Sequence, residues 1–472
     1  MRVCGSFKMG GLVMSVGLRR CRTLLEYNGM FVVVMLFILI AGGHLGGQTA
    51  KLMLAQIFFI LLPGFSVLKQ ANFAYRNKVV FGLCAYATGY LLSILIYAVF
   101  LLFGAQQFSA VGYVVYAVGC IILFVKTRHK RVICREDIAK AEYLLLLVLL
   151  AVALIIGIAV YQLPNRSALI VDYRYMVGDL TYWFKNCVAA TKGYPLPELS
   201  ISGLNLYWHL FSCFEVAFLH FLTGIEIYEL CFTFAYIWQI FLLVGGTYVI
   251  AVYFLRKRSY IFLVLPAVLF TSGMDNQTWV FYQYHLYRCS LAFIEGYAMS
   301  MFGLFFFFAF MDLNKKNYTA YALTVLMLAG ALGLKASGGV ILLAGMAVRG
   351  VLYLGKNAKK NLKYILMIIS YFLVFYVVAN FVLIDGNALS SSTSSHRLNL
   401  FTIESVFKSG HYRPLYDTLR VGFLNKYFAY AVTVFLYLIH ANYAIFVPLM
   451  VGFIVTIFQK NWKNFMNLTS VC

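Results

Sequence analysis

Charged residues are scarce in this chain. Asp, Glu, Lys and Arg make up 11% of its 472 residues, whereas hydrophobic residues make up 63% and the mean hydropathy is +0.84. So little charge excludes a soluble globular protein and indicates one polytopic membrane domain. The sequence also lacks the Gly-rich nucleotide loop, the HExxH zinc motif and the nucleophile elbow found in many soluble enzymes.

Acidic residues are rarer than basic ones. There are 16 Asp and Glu against 38 Lys and Arg, which gives a net charge of +22. The basic residues collect in short loops between apolar runs, for example at 126–140, 256–258 and 356–363. This is the positive-inside pattern of membrane proteins, and it also attracts anionic lipid. We therefore expect a multi-pass protein of the cell membrane with a cytoplasmic N-terminus and no nucleic-acid partner.

The apolar runs are long enough to cross a bilayer. A helix needs about 20 apolar residues to span ~30 Å of hydrocarbon, and lipid-exposed backbone must pair within its own helix. The sequence thus predicts an all-α, polytopic integral membrane protein with about 12 to 13 transmembrane helices. The runs cover residues 28–45, 50–68, 79–103, 109–125, 143–162, 206–223, 226–254, 259–271, 290–311, 318–334, 336–354, 364–384 and 427–458.

Two long polar segments, 163–204 and 385–426, interrupt these runs. Placing the basic clusters in the cytoplasm puts both segments outside the membrane as extracytoplasmic loops. One later segment is ambiguous, because full crossings by both 206–223 and 226–254 would leave the basic cluster 256–258 outside. We therefore expect 206–223 to be a tilted or partly inserted helix.

The first loop carries two carboxylates, Asp172 and Asp179. Apolar residues recur at helical spacing after Gly178, which predicts an amphipathic helix on the membrane surface. Asp179 can cap that helix. A carboxylate just outside the bilayer can also act as a general base toward a hydroxyl, or hold a divalent metal such as Mg²⁺ or Mn²⁺.

The next apolar segment contains Tyr207, His209 and Glu215. A histidine in an apolar helix is more often a satisfied core group than a catalyst. An unpaired carboxylate in hydrocarbon costs at least roughly a few kcal/mol, so Glu215 requires a partner. The sequence does not identify that partner.

Basic residues on the predicted outer face run against the positive-inside trend. Lys335 lies between two apolar helices, where it either reaches the outer surface or pairs with an anion. The second loop carries Arg397, His411, Arg413 and Arg420. Arginine suits bidentate recognition of phosphate, and the alternative is an ordinary solvated loop surface.

This layout resembles the GT-C-type multi-spanning glycosyltransferases, which use polyprenyl-phosphate-linked sugars. The matching stretches are Gly178-Asp179-Leu-Thr-Tyr-Trp-Phe-Lys-Asn, Gly193-Tyr-Pro-Leu-Pro, Gly203-Leu-Asn-Leu-Tyr207-Trp-His209 and Lys335-Ala-Ser-Gly-Gly. The resemblance covers roughly 143–355 in order and spacing. The chain departs from the family pattern in having several spans before the first loop, and in having Tyr182 where many relatives have a histidine.

The resemblance implies an inverting transfer of a sugar from a polyprenyl-phosphate donor to a glycan, lipid or protein acceptor. It implies that Asp179 is the catalytic base and that Asp172 assists it or binds a metal. It also implies that outer basic residues hold the donor phosphate, with Lys335, Arg397 and Arg413 as the nearest candidates.

Tyr207 and His209, on the segment after the loop, are expected to contact the substrate. Two alternatives remain, a transporter or flippase for a lipid-linked saccharide and a polysaccharide polymerase. A transporter needs polar side chains along a path through the membrane. The apolar runs supply few of them, namely Gln56, Glu215, Gln239 and Glu295.

Overall fold

The computed structural model of the chain describes most of its first 347 residues and short pieces beyond them. The described residues are 29–71, 74–127, 130, 132–158, 178–194, 196–197, 205–206, 210–255, 258–270, 272–273, 283–284, 294–312, 318–335, 338–347, 369–374, 376–377, 417–418 and 432. They are mostly helical, and their strands are three pairs of two residues each. The predicted all-α class is thus confirmed for this part of the chain.

The main helices follow the apolar runs of the sequence, except the helix Gly178–Ala190, which lies in the polar segment 163–204. In chain order they are α1 Gly29–Ala41, α2 Gly47–Gln70, α3 Lys78–Leu102, α4 Ser109–Thr127, α5 Lys140–Gly157, α6 Gly178–Ala190, α7 Leu210–Thr223, α8 Ile227–Phe254, α9 Ile261–Phe270, α10 Ile294–Asp312, α11 Tyr318–Leu334 and α12 Gly338–Ala347.

Among the described residues, five helices are long and apolar enough to cross a membrane: α2, α3, α5, α8, and α4 together with the 3₁₀ turn that precedes it. Large apolar side chains are exposed along α4 and α5, and such surfaces are compatible with lipid contact. The protein is therefore membrane-embedded. The total of about 12 to 13 spans and the two long outer loops stay predictions.

Helix α7 lies within the segment 206–223, whose crossing of the membrane is ambiguous from the sequence. It has 14 residues, which at ~1.5 Å per residue is about 21 Å, less than the ~30 Å hydrocarbon core. A helix of this length is compatible with the tilted or partly inserted segment that the sequence predicts.

The chain divides into two compact units. The first comprises Met1–Tyr175 and Phe214–Gly245, and the second comprises Met176–Cys213 and Gly246–Cys472. In the first unit α3 is the most buried of the five long helices, and Asn77 caps its start by accepting a hydrogen bond from the Val80 amide at 2.9 Å. Helices α2 and α3 touch backbone to backbone, because a side chain on Gly64 would overlap the Ala85 carbonyl.

In the described part of the first unit, two helices contain π-helical turns. Gln56–Leu61 forms one within α2, and Leu230–Phe234 forms the other within α8. A π turn locally breaks the helical hydrogen-bond register and is frequent at functional sites. Gln56, the first residue of its turn, is buried and accepts a hydrogen bond from the Tyr86 hydroxyl at 2.6 Å.

One strand pair joins two connections that lie far apart in sequence, and the other two pairs each lie within a single connection. In the first unit β1 (Ala74–Tyr75) pairs in parallel with β2 (Ile133–Cys134), and the Arg135 amide donates to the Tyr75 carbonyl at 3.0 Å. Burial raises the pKa of the Tyr75 hydroxyl well above its usual value. In the second unit β3 (Leu196–Pro197) pairs with β4 (Asn205–Leu206), and β5 (Ser272–Gly273) pairs with β6 (Gln283–Tyr284).

Candidate functional site

The helix predicted around Asp179 is present as α6 in the second unit, and it begins at Gly178 as the sequence indicates. For Asp179 itself only the backbone is described, and it lies one helical turn before Trp183. The Trp183 side chain is 2% exposed, and its indole N–H donates to Ser212 Oγ at 3.1 Å. Part of the apolar face of α6, which the sequence assigns to the membrane surface, is therefore covered by the rest of the protein.

Ser212 and its neighbour Phe211 lie in the first turn of α7, and both are buried. Phe211 packs against the last turn of α11, because a Cβ placed on Gly333 would lie 2.5 Å from the Phe211 Cγ. Phe211 and Ser212, which we call the anchor pair, thus contact two separate elements. Ser212 is hydrogen-bonded to Trp183 on α6, and Phe211 packs against Gly333 at the end of α11.

Lys335 follows α11 directly, in the turn predicted between two apolar helices. Its amide donates to the Ala331 carbonyl at 2.8 Å, and its carbonyl accepts from the Gly338 amide at 2.9 Å. The residue is half-buried. These backbone hydrogen bonds fix the position of the Lys335 backbone. Lys335 comes two residues after Gly333, which Phe211 contacts.

Helix α10 holds this turn from another side. A Cβ placed on Gly296 would lie 2.5 Å from the Lys335 Cβ, so only glycine fits there. One helical turn later, Ser300 Oγ lies 2.8 Å from the Gly296 carbonyl and 2.6 Å from the Gly338 carbonyl. Gly296 and Ser300 together form what we call the α10 clamp. Glu295, beside Gly296, is fully buried.

The structure thus attaches two of the predicted site elements, the helix of Asp179 and the turn of Lys335, to the same anchor pair. The remaining predicted residues, Asp172, Tyr207, His209, Arg397 and Arg413, lie outside the described residues. The sequence did not point to the anchor pair, because Phe211 and Ser212 are ordinary members of an apolar run. A small residue beside an aromatic one is too common a pattern to single them out.

The first unit contains the partner that Glu215 requires. Glu215 is 1% exposed, and its Oε2 accepts hydrogen bonds from the Tyr90 hydroxyl at 2.8 Å and from the Trp238 indole N–H at 2.9 Å. Helices α3, α7 and α8 each contribute one of these three side chains. The sequence alone does not point to Tyr90 or Trp238, because each is only an aromatic residue with one polar group within an apolar run.

The polar residues that a transport path would use are buried in the structure. Gln56, Glu215, Gln239 and Glu295 are each at most 1% exposed. Gln56 and Glu215 bind the hydroxyls of Tyr86 and Tyr90, respectively, which lie one turn apart on α3. A transport path through Gln56 and Glu215 would have to break these two hydrogen bonds.

No group of three or more His, Cys, Asp or Glu side chains that could hold a metal occurs among the described residues. The predicted metal ligands, Asp172 and the side chain of Asp179, are outside that set. Comparison of the chain with protein-family models, with curated proteins and with solved structures gives no significant match.

Proposed function

We propose that this protein is a membrane glycosyltransferase that moves a sugar from a polyprenyl-phosphate donor to an extracytoplasmic glycan, lipid or protein. The observation that carries the proposal is the anchor pair, since Ser212 holds the helix of Asp179 and Phe211 holds the end of the helix before Lys335. The sequence resemblance implies a base on the first element and a phosphate-binding cation beside the second. A shared anchor would keep two such groups in a constant relation, as transfer between two bound substrates requires.

The chemistry follows from the residue types. Asp179 accepts the proton of the acceptor hydroxyl while the hydroxyl oxygen attacks the anomeric carbon of the sugar. The bond between that carbon and the phosphate oxygen breaks, and the polyprenyl phosphate leaves with its negative charge held by Lys335, Arg397 and Arg413. A single displacement of this kind inverts the anomeric configuration.

The remaining predicted residues have supporting roles in the proposal. Asp172 assists Asp179 or binds a divalent metal such as Mg²⁺ or Mn²⁺, for which its carboxylate is a suitable ligand. Tyr207 and His209 contact the substrate, and they immediately precede α7, which carries the anchor pair. The N-terminus is placed in the cytoplasm of a cell-membrane protein, and both long loops are placed outside.

Substitution of the proposed base tests the mechanism. Asp179→Asn keeps the size of the side chain and removes its basicity, so we expect sugar transfer to fall by about 10²- to 10⁴-fold with unchanged helix content. The matched control is Asp137→Asn, the same change at an exposed position of the first unit, which should leave transfer unchanged. Transfer at the wild-type rate by folded Asp179→Asn protein would contradict the assignment of the base.

A further inference from the structure

Gln56 brings an uncharged polar side chain into the interior of the first unit. The residue is fully buried and occupies the first position of the π turn Gln56–Leu61 in α2. Its Oε1 accepts a hydrogen bond from the Tyr86 hydroxyl at 2.6 Å, but its Nε2 has no hydrogen-bond partner within the described part of the chain. Buried polar atoms of native proteins nearly always have a partner, so the Gln56 amide requires one more group.

Exchanging the two ends of the Gln56 amide does not meet this requirement. The amide offers two N–H donors and one acceptor oxygen, whereas Tyr86 brings a single hydroxyl group. If Nε2 faced Tyr86, it would donate to the hydroxyl oxygen, and Oε1 would then lack a donor among the described residues. A ligand that both donates and accepts hydrogen bonds satisfies the amide in either orientation.

The surroundings of the pair favour a small neutral ligand over an ion. The Tyr86 ring packs against Phe31, with ring centres 5.8 Å apart, and against Phe241, with ring centres 4.8 Å apart. An ion placed among these rings would lose its hydration shell and gain only an amide and a phenol in exchange. That transfer costs far more than the transfer of a neutral molecule.

The π turn provides a position for such a ligand in α2. A π turn holds one residue more than an α turn, so the helix bulges and its backbone hydrogen bonds shift in register. The shift is visible directly after Gln56, where the Leu62 amide donates to the Ile57 carbonyl, five residues earlier in the chain. Water molecules are found at breaks of this kind in the helical hydrogen-bond ladder.

We propose that Gln56 and Tyr86 bind one buried water molecule at the π turn of α2. The water accepts a hydrogen bond from Gln56 Nε2 and donates one to the Tyr86 oxygen, whose own proton is bound by Gln56 Oε1. A ring of three hydrogen bonds then joins α2 to α3. A buried water typically makes about three hydrogen bonds, and its second proton is available to a backbone carbonyl of the bulge. The site is independent of the proposed sugar transfer.

X-ray radiolysis of the purified full-length protein tests the proposal. Radiolysis of a bound water produces a hydroxyl radical, which oxidises the adjacent side chain even where bulk solvent does not reach it. We expect Tyr86 to be oxidised several times faster than Tyr97, which is also fully buried on α3. Gln56→Met keeps an unbranched side chain of similar length and removes the amide, so it should lower the Tyr86 rate to that of Tyr97. The matched control is Gln107→Met, at an exposed position before α4, which should leave the Tyr86 rate unchanged.

Oxygen-isotope mixing gives a second measurement that needs no variant. Protein is transferred rapidly into water enriched in the heavy oxygen isotope and is then irradiated. The oxidised Tyr86 should still contain light oxygen from the bound water, whereas exposed Tyr318 should take up heavy oxygen. Immediate uptake of heavy oxygen at Tyr86 would show a solvent channel and overturn the proposal. Equal oxidation of Tyr86 and Tyr97 in the wild-type protein would overturn it too, as would an unchanged Tyr86 rate in Gln56→Met.

Discussion

A single carboxylate oxygen joins three side chains of the first unit, one each from α3, α7 and α8. Glu215 Oε2 accepts from Tyr90 on α3 and from Trp238 on α8, and all three side chains are buried. The sequence shows that Glu215 needs a partner but not which one, because Tyr90 and Trp238 are 125 and 23 residues away. Nothing in one sequence marks aromatic residues that far apart as neighbours.

Replacing this carboxylate should be costly. Glu215→Leu leaves the Tyr90 hydroxyl and the Trp238 N–H without their acceptor, and each such loss costs about 1–3 kcal/mol. We expect a loss of about 2–6 kcal/mol in the free energy of unfolding, and a smaller loss for Glu215→Gln, which keeps one acceptor oxygen. Thermal unfolding in detergent measures both, with exposed Glu226→Gln as the control. Wild-type stability in Glu215→Leu would show that the two hydrogen bonds contribute nothing.

Elements were easier to predict than their contacts. The apolar runs 318–334 and 226–254 correspond to α11 (Tyr318–Leu334) and α8 (Ile227–Phe254) almost residue by residue. Hydropathy locates such helices because a bilayer requires a minimum apolar length. It does not show which side of a uniformly apolar helix faces a neighbour, so contacts such as the α10 clamp appear only in the structure.

The close approach of Gly296 in the α10 clamp to Lys335 can be tested by substitution. Gly296→Ala places a Cβ 2.5 Å from the Lys335 Cβ, so α10 and the turn must move apart. We expect a loss of about 1–3 kcal/mol in the free energy of unfolding, as is usual for overpacking. The same substitution at Gly119 on α4, where an added Cβ meets nothing within 4 Å, should not destabilise. If both variants unfold at the same temperature as wild type, the turn is not held by this contact.

At the scale of the whole molecule, the membrane class follows from composition, and the described structure agrees with it through five helices long and apolar enough to cross a bilayer. The helix of Asp179 and the turn of Lys335 are also predictable from the sequence. The sequence could not show that both contact the anchor pair Phe211–Ser212, since that relation depends on how α6, α7 and α11 pack. The activity itself stays a proposal.

The most direct test of the proposed activity measures transfer of a labelled sugar from the donor to an acceptor. Wild-type protein is reconstituted into lipid vesicles with a radiolabelled polyprenyl-phosphate sugar, and membranes from cells lacking the protein supply the acceptors. We expect a labelled glycosidic product of inverted anomeric configuration, formed only when the protein is present. Movement of the labelled donor across the bilayer without a new glycosidic bond would contradict it and would favour a transporter.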